Sequence, residues 1–167
     1  EDVAARHPFA AEGDVLVSIR NLDTLAILDA QTCLIRWVTA GQWRRQHQAQ
    51  FLSNGNLLLF DNRGGPADPA TGSESSRILE VDPVTQAIRW RYGGRAPFYS
   101  KALGSVRRLG NGNTLITESH QGRILEVAPD GKVVWEYWNP HRAGENDELI
   151  ATIMGAQRID PATLEFL

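Results

Sequence analysis

The fold is decided by residues 111–138, which read NGNTLITESHQGRILEVAPDGKVVWEYW. This stretch opens on an Asn-Gly turn, continues through two short apolar runs, and ends in a third run that carries Trp135. Short runs of Leu, Ile and Val bounded by Gly, Asn and Asp are typical of antiparallel strands joined by tight turns. The stretch therefore predicts a meander of strands, and its apolar residues do not follow a helical spacing.

Two further stretches share this organisation. Residues 13–39 read GDVLVSIRNLDTLAILDAQTCLIRWVT, and residues 54–92 contain NGNLLLFDN and, after an insertion, SRILEVDPVTQAIRWRY. Each ends near a tryptophan, Trp37 or Trp90, that is expected to wedge between neighbouring units. The short runs HQAQFL and GSVRRL lie ahead of the second and third Asn-Gly turns, so each unit has four strands, the content of one propeller blade.

The sequence thus predicts an all-β, β-propeller-like single domain of about three four-stranded antiparallel blades. The approximate blade limits are 1–39, 43–92 and 99–138, and a tail follows at 139–167. Closed propellers typically have about four to eight blades, so three cannot close a ring. The chain is then a piece of a larger protein, an open arc, or half of a six-bladed ring completed by homodimerisation. We favour self-association, because an uncovered edge strand invites pairing.

The tail carries two predictions of its own. Residues 147–154, DELIATIM, predict one or two helical turns. Residues 155–160, GAQRID, echo GSVRRL and predict a lone first strand that reaches toward a further blade.

Composition limits the function classes. With 167 residues, 42% hydrophobic and 22% charged, the chain can bury a core as one domain, and its formal charge of −3 argues against a nucleic-acid partner. It has no apolar run of membrane-spanning length, so no membrane partner is predicted, and EDVAARHPFA lacks the features of a signal peptide. The single Cys33 excludes an internal disulfide. No phosphate loop, metal-ligand spacing or nucleophilic-serine elbow occurs, so we predict no cofactor and no metal site.

The candidate for chemistry is His47, in RRQHQAQ at residues 44–50. It lies at the start of the first strand of the middle blade, where propeller strands line the central channel. An imidazole there can act as a base or nucleophile, and a neighbouring guanidinium such as that of Arg45 can hold a tetrahedral anion. The alternative is a solvated or hydrogen-bonded strand histidine. By strand alternation, one of Arg107 and Arg108 faces the same channel, whereas His120 is predicted to be an exposed turn residue.

The segment QHQAQFLSNGNLLLFDN, followed after a loop by SSRILEVDP, resembles the arylsulfate sulfotransferase family, as does GDVLVSIRNLDTLAILD upstream. The resemblance runs from about Gly13 to Trp138 and implies part of a six-bladed propeller. It also implies transfer of a sulfuryl group from an aryl sulfate to a phenol through a sulfo-histidine. The resemblance leaves an exported or periplasmic location open.

The same resemblance implies residue roles. His47 would be the nucleophile, Arg20 of VSIR would hold sulfuryl oxygens, and Arg77 of SSR would position substrate or serve the structure. The family also has a His-x-Asn pair, which falls here near Val3 and Ala5, and neither side chain can bind an anion. Two hypotheses stay open: an active sulfotransferase, or a non-catalytic half-propeller that binds an anionic or aromatic small molecule or a protein partner.

Overall fold

Short runs between glycine and asparagine turns form antiparallel strands throughout the computed structural model, which describes residues 3–65, 74–94, 97–160 and 162. Three sheets follow one another along the chain, and we call them blades 1, 2 and 3. Blade 1 contains β1 Val15–Ile19, β2 Thr24–Leu28 and β3 Ile35–Ala40. Blade 2 contains β4 His47–Phe51, β5 Leu57–Gly65, β6 Ser75–Val81 and β7 Ile88–Gly93. Blade 3 contains β8 Ser105–Arg108, β9 Thr114–Glu118, β10 Arg123–Val127 and β11 Val133–Trp138.

The strands of each blade are paired in chain order and are all antiparallel. A register shift recurs at one place in the three blades, in the strand next to the outermost one, at 27/28, 80/81 and 126/127. These shifts fix which residues of the three blades correspond: Val15, Leu57 and Thr114 occupy one position. The all-β, propeller-like fold predicted from the sequence is confirmed, and the sheets form an open arc.

Blade 1 differs from the prediction of four strands, because its sheet has three among the described residues. The segment ahead of β1 begins with a short helix, α1 Val3–Arg6, and is then held by blades 1 and 2. His7 Nε2 lies 2.7 Å from the carbonyl oxygen of Gly55, and the Phe9 ring stacks on Trp37 with centroids 4.7 Å apart. Residues 3–9 are therefore not the first strand of blade 1.

The core lies between the blades. Along β5, Leu57 and Leu59 pack toward blade 1, in a cluster that includes Leu25. The alternate residues Leu58 and Phe60 pack toward blade 3. All four β5 side chains are fully buried, so the middle blade has an unbroken apolar run where a half-exposed strand would alternate.

The predicted helix in DELIATIM is wrong. Leu149 and Ile150 form a short strand, β13 Leu149–Ile150, that pairs with β12 Arg142–Ala143. Pairing across this hairpin overrides the weak local preference for helix. Among the described residues, no helix is long and apolar enough to cross a membrane.

Gly104 allows the backbone to pass close to the core just before β8. Its φ is +119°, and a Cβ there would lie 2.8 Å from the fully buried Phe60 ring. We expect Gly104→Ala to lower the free energy of unfolding by about 2–4 kcal/mol, from backbone strain and overpacking together. Urea denaturation measures this. Gly110→Ala is the matched control, because a Cβ there meets nothing within 4 Å; equal stability losses in the two variants would contradict the explanation.

Candidate functional site

His47 is aimed by an irregularity at the start of β4. It pairs with Phe60 of β5, and the register then shifts so that Gln50 faces Leu58. The extra residue, Gln48, has a φ of +50°. A bulge of this kind re-aims a side chain and is common beside active sites.

The His47 ring is oriented by Asn62 of β5. His47 Nδ1 lies 2.7 Å from Asn62 Oδ1. The amide nitrogen of Asn62 donates to two carbonyl oxygens, Ser100 O at 2.8 Å and Leu103 O at 2.6 Å. Because both amide hydrogens of Asn62 are used, its Oδ1 must face the ring and accept, and His47 Nδ1 must carry the proton. Nε2 of the neutral ring is therefore left with its lone pair.

The residues that hold the Asn62 side chain in place are buried. Asn62, Ser76 and Ser100 are each fully buried. Ser76 Oγ donates to the carbonyl oxygen of Asn62 at 2.8 Å and accepts from the backbone N–H of Ser100 at 2.9 Å. A satisfied network in a dry environment is rigid, so it holds Asn62 in one orientation.

The ring tautomer is testable by NMR. We expect the neutral form of ¹⁵N-labelled His47 to be protonated at Nδ1 and bare at Nε2. Asn62→Leu removes the acceptor, so this preference should be lost in the variant. His120 is an internal control, because its Nδ1 is held independently by the carbonyl oxygen of Ala102 at 2.9 Å. A protonated Nε2 at His47 in the parent protein would contradict the assignment.

Arg20 and Arg45 meet at one acceptor. Arg20 Nη1 donates to Asn21 Oδ1 at 3.0 Å, and Arg45 Nη1 donates to the same oxygen at 2.9 Å. Neither guanidinium forms an ion pair with any residue in the described part of the chain. Two cations from adjacent blades therefore lie together without a direct ion pair, although the Asp23 carboxylate accepts from the backbone N–H of Arg45 at 2.7 Å. Guanidinium groups in such an arrangement can bind an anion.

The buried Gln46 connects this cation pair to His47. Its Nε2 donates to Thr24 O at 2.9 Å and to Ser18 Oγ at 3.2 Å, both in blade 1. The side chain lies between Arg45 and His47 in sequence, so its bonds fix both neighbours against blade 1. Gln46, Asn21 and Asn62 were not identified as functional from the sequence, although Gln46 and Asn62 belong to the quoted QH and FDN motifs.

Arg77 lies in a buried ion pair. Its Nε donates to Asp61 Oδ2 at 2.7 Å, and its Nη2 contacts the carbonyl oxygen of Gln42. Asp61 Oδ1 accepts from the backbone N–H groups of Arg44 at 2.8 Å and Gly64 at 2.9 Å. Burial raises the pKa of the Asp61 carboxyl, and these donors oppose that shift. The pair anchors the segment that leads to His47; substrate binding by Arg77 stays a prediction.

Blade 3 has a corresponding carboxylate. Glu118 is fully buried, accepts from the Tyr99 N–H at 2.7 Å and lies 3.5 Å from Arg123. Burial raises the pKa of Glu118, and the Tyr99 and Arg123 contacts oppose the shift. The shared arrangement indicates that Asp61 and Arg77 belong to the construction of a blade.

The two remaining candidate cations, Arg107 and Arg108, lie in different surroundings. Arg107 is exposed and, with Gln48 and residues 154–157, lines a groove of about 350 Å³ beside β8. Arg108 instead pairs with Glu80 at 2.6 Å and covers the Trp90 ring. His120 is exposed in a turn, as predicted. No cluster of three metal-ligating side chains occurs in residues 3–65, 74–94 and 97–160.

Comparison with known proteins gives a family and a fold. The family model described as arylsulfotransferase (ASST) matches residues 2–140. A Bacteroides caccae protein of unknown function is similar at 17% identity and a TM-score of 0.51, over 75% of this chain and 42% of that one. Virginiamycin B lyase from Staphylococcus aureus is similar at 14% identity and a TM-score of 0.52, over 78% of this chain and 39% of that one. A catalytically inactive form of that lyase, with quinupristin, gives 13% identity, a TM-score of 0.52, and coverage of 79% and 40%.

No curated protein matches the chain significantly. The chain spans about two-fifths of the length of the solved structures it resembles. At these identities the structural likeness concerns the fold alone.

Proposed function

Since the chain belongs to the arylsulfotransferase family, we propose that it transfers a sulfuryl group from an aryl sulfate to a phenol, with His47 as the nucleophile. The observation that carries the proposal is the contact of His47 Nδ1 with Asn62 Oδ1 at 2.7 Å, which assigns the proton to Nδ1 and the lone pair to Nε2. A nucleophile held in a single tautomer does not have to reorganise before it reacts.

In the first step, His47 Nε2 attacks the sulfur of the aryl sulfate. A nitrogen–sulfur bond forms while the bond from sulfur to the aryl oxygen breaks, and the phenolate leaves and takes a proton from solvent. The sulfated ring carries a positive charge, which the Nδ1–H bond to Asn62 Oδ1 stabilises.

In the second step, the oxygen of an acceptor phenol attacks the same sulfur and loses its proton to solvent. The nitrogen–sulfur bond breaks, and its electron pair returns to Nε2. The ring is then neutral with Nδ1 protonated, as at the start. The aryl sulfate and the acceptor phenol are the reactants consumed, and His47 is regenerated.

Arg20 and Arg45 are the proposed binding groups for the sulfuryl oxygens. Negative charge on those oxygens redistributes during transfer, and two unpaired guanidinium groups can follow it, as cationic groups do in phosphoryl transfer. Arg77 is proposed to act on substrate only indirectly, because its contacts to Asp61 and Gln42 occupy two of its donor nitrogens.

A second candidate function is binding without turnover. The family's His-x-Asn pair falls near Val3 and Ala5, which here belong to helix α1 and have aliphatic side chains. Without that pair, Arg20, Arg45 and His47 would still bind an anionic or aromatic ligand. Sulfuryl transfer would need further anion-binding groups from elsewhere.

An aryl sulfate that releases a coloured phenol separates these functions. We expect release of about one equivalent of phenol without an acceptor, and continued release only with an added acceptor phenol. Intact-mass and peptide analysis should find one SO₃ group on the peptide containing His47. Ligand-induced thermal stabilisation with neither release nor label would support the binding module instead. No release, label or stabilisation would overturn both.

A further inference from the structure

Arg20 and Arg45 differ from the other arginines in the kind of side chain that they contact. Wherever else in the described part of the chain a guanidinium contacts a side-chain oxygen, that oxygen belongs to an aspartate or a glutamate. Arg89, for example, lies 2.7 Å from Asp82. Arg20 and Arg45 instead share the side-chain oxygen of Asn21. A neutral amide thus lies where the other arginines have a carboxylate.

The atom of Asn21 that the two arginines share is identified by its partners. Arg20 Nη1 lies 3.0 Å from this atom, and Arg45 Nη1 lies 2.9 Å from it. A guanidinium nitrogen is only a donor, so the atom between the two must be the acceptor Oδ1 and not the amide nitrogen. Asn21 therefore holds two cations at one atom and adds no charge of its own.

The charges of these two guanidinium groups are not compensated at the point where they meet. Like charges that approach one oxygen repel each other, and the repulsion is screened less because Arg20 and Arg45 are both partly buried. Each contact with Asn21 uses one Nη1 atom, so the other N–H donors of both groups remain for a ligand. An oxyanion that accepts from both groups at once would relieve the repulsion.

Arg45 reaches Asn21 from a backbone conformation that its surroundings hold in place. Its φ is +57°, in the left-handed region that is unfavourable for a residue with a Cβ. Asp23, whose own φ is +54°, accepts from the Arg45 N–H at 2.7 Å through Oδ1. Strained backbone that neighbouring groups stabilise occurs often at functional sites. The turn that contains Asn21 and Asp23 therefore fixes both the backbone and the guanidinium of Arg45.

The same part of blade 1 also holds Gln46, the residue between Arg45 and His47. Ser18 Oγ donates to the Gln46 carbonyl oxygen at 3.3 Å, and the Gln46 side chain donates to Thr24 O at 2.9 Å. His47 follows directly and begins β4. Residues 45–47 thus place one of the paired cations and the proposed nucleophile on one short segment that is bound to blade 1.

We propose that Asn21 determines the specificity of this site. Its neutral amide brings two guanidinium groups together without cancelling their charge, and the pair then selects a tetrahedral oxyanion that accepts from both. The ligand class is inorganic sulfate or the sulfate group of an aryl ester; the choice of sulfate rests on the proposed function. A carboxylate at position 21 would form ion pairs with both arginines and would repel the oxyanion.

The test exchanges the Asn21 amide for a carboxylate. Asn21→Asp keeps the shape and the acceptor oxygen and adds one negative charge. Isothermal titration calorimetry with sodium sulfate, at an ionic strength held constant with sodium chloride, measures binding. The parent chain should bind sulfate, and Asn21→Asp should bind it at least about tenfold more weakly. Gln31→Glu is the matched control, because it makes the same change of charge in the exposed turn after β2, and it should bind sulfate like the parent.

The same variant separates specificity from a merely structural role. If Asn21 were only a structural acceptor, Asn21→Asp would bind sulfate as the parent does, because its oxygens still accept from both arginines; that result would overturn the proposal. The melting temperature of Asn21→Asp in chloride buffer should be at or above that of the parent, because the two cations gain a counter-charge. A lower melting temperature, or a parent chain that binds no sulfate, would also overturn the proposal.

Phenol release distinguishes this proposal from the proposed function. The KM for an aryl sulfate should rise at least about tenfold in Asn21→Asp, because the interaction that is lost binds the sulfate group. Sulfate binding that depends on Asn21, without any phenol release by the parent, would support the role of Asn21 and reject transfer. Release with the same KM in the parent and in Asn21→Asp would reject the role of Asn21 and leave transfer standing.

Discussion

A His47→Ala variant is expected to release phenol from an aryl sulfate at least about 10³-fold more slowly than the parent chain, since removing a covalent nucleophile removes the intermediate itself. The SO₃ label on the peptide should disappear with it. Folding should be retained, because His47 is half-buried and Asn62 keeps both of its bonds to backbone carbonyl oxygens. Circular dichroism and urea denaturation check the fold, and a continuous absorbance assay measures release.

His120→Ala is the sharpest control for this variant. Its ring is also held through Nδ1 by a carbonyl oxygen, at 2.9 Å from Ala102, so Nε2 has the same electronic character. Two cations meet at Asn21, beside the segment that leads to His47, and the described contacts of His120 include no such pair. His120→Ala should therefore retain release close to that of the parent. Equal losses in the two variants would show that neither residue is the specific nucleophile.

The strands could be predicted because the residues that favour extended structure locally are also the residues that the fold buries. Leu57 to Phe60 form an apolar run between an Asn-Gly turn and a polar FDN end, and the fold buries both faces of that run between two blades. The start of β4 could be predicted for the same reason, because the hairpin places it opposite β5. His47 was thereby located at a strand start without knowledge of its contacts.

The contacts of the site could not be predicted, because each depends on packing between blades. Asn62 is 15 residues from His47, and its orientation is set by carbonyl oxygens at Ser100 and Leu103, in the approach to blade 3. Arg20 and Arg45 converge only when blade 1 packs against the segment around Gln46. A sequence pattern defines strands, but it does not define which loop of the next blade supplies an acceptor.

Loss of the Arg77 side chain, in Arg77→Met, is expected to lower the free energy of unfolding by about 3–5 kcal/mol at neutral pH, because it leaves a buried carboxylate without its cation. The Asp61 side chain has no exposed surface, and it would keep only the N–H donors of Arg44 and Gly64. Arg89→Met is the matched control. Arg89 pairs with Asp82 at 2.7 Å, but its side chain is 52% exposed, so the loss should be about 0–1 kcal/mol.

The pH dependence of the Arg77→Met variant separates this mechanism from simple loss of packing. Burial raises the pKa of Asp61, and the Arg77 guanidinium opposes that shift, so the pKa should rise further in the variant. A carboxyl whose pKa is higher in the folded than in the unfolded protein favours folding while protonated, and this contribution is lost as pH rises through the folded pKa. The loss of stability relative to the parent should therefore be smaller at about pH 4.5 than at about pH 7.5. Both pH values lie above the ordinary pKa of an Asp carboxyl. A deficit independent of pH would assign the effect to packing, and a variant as stable as the parent that no longer releases phenol would identify Arg77 as a substrate-binding residue.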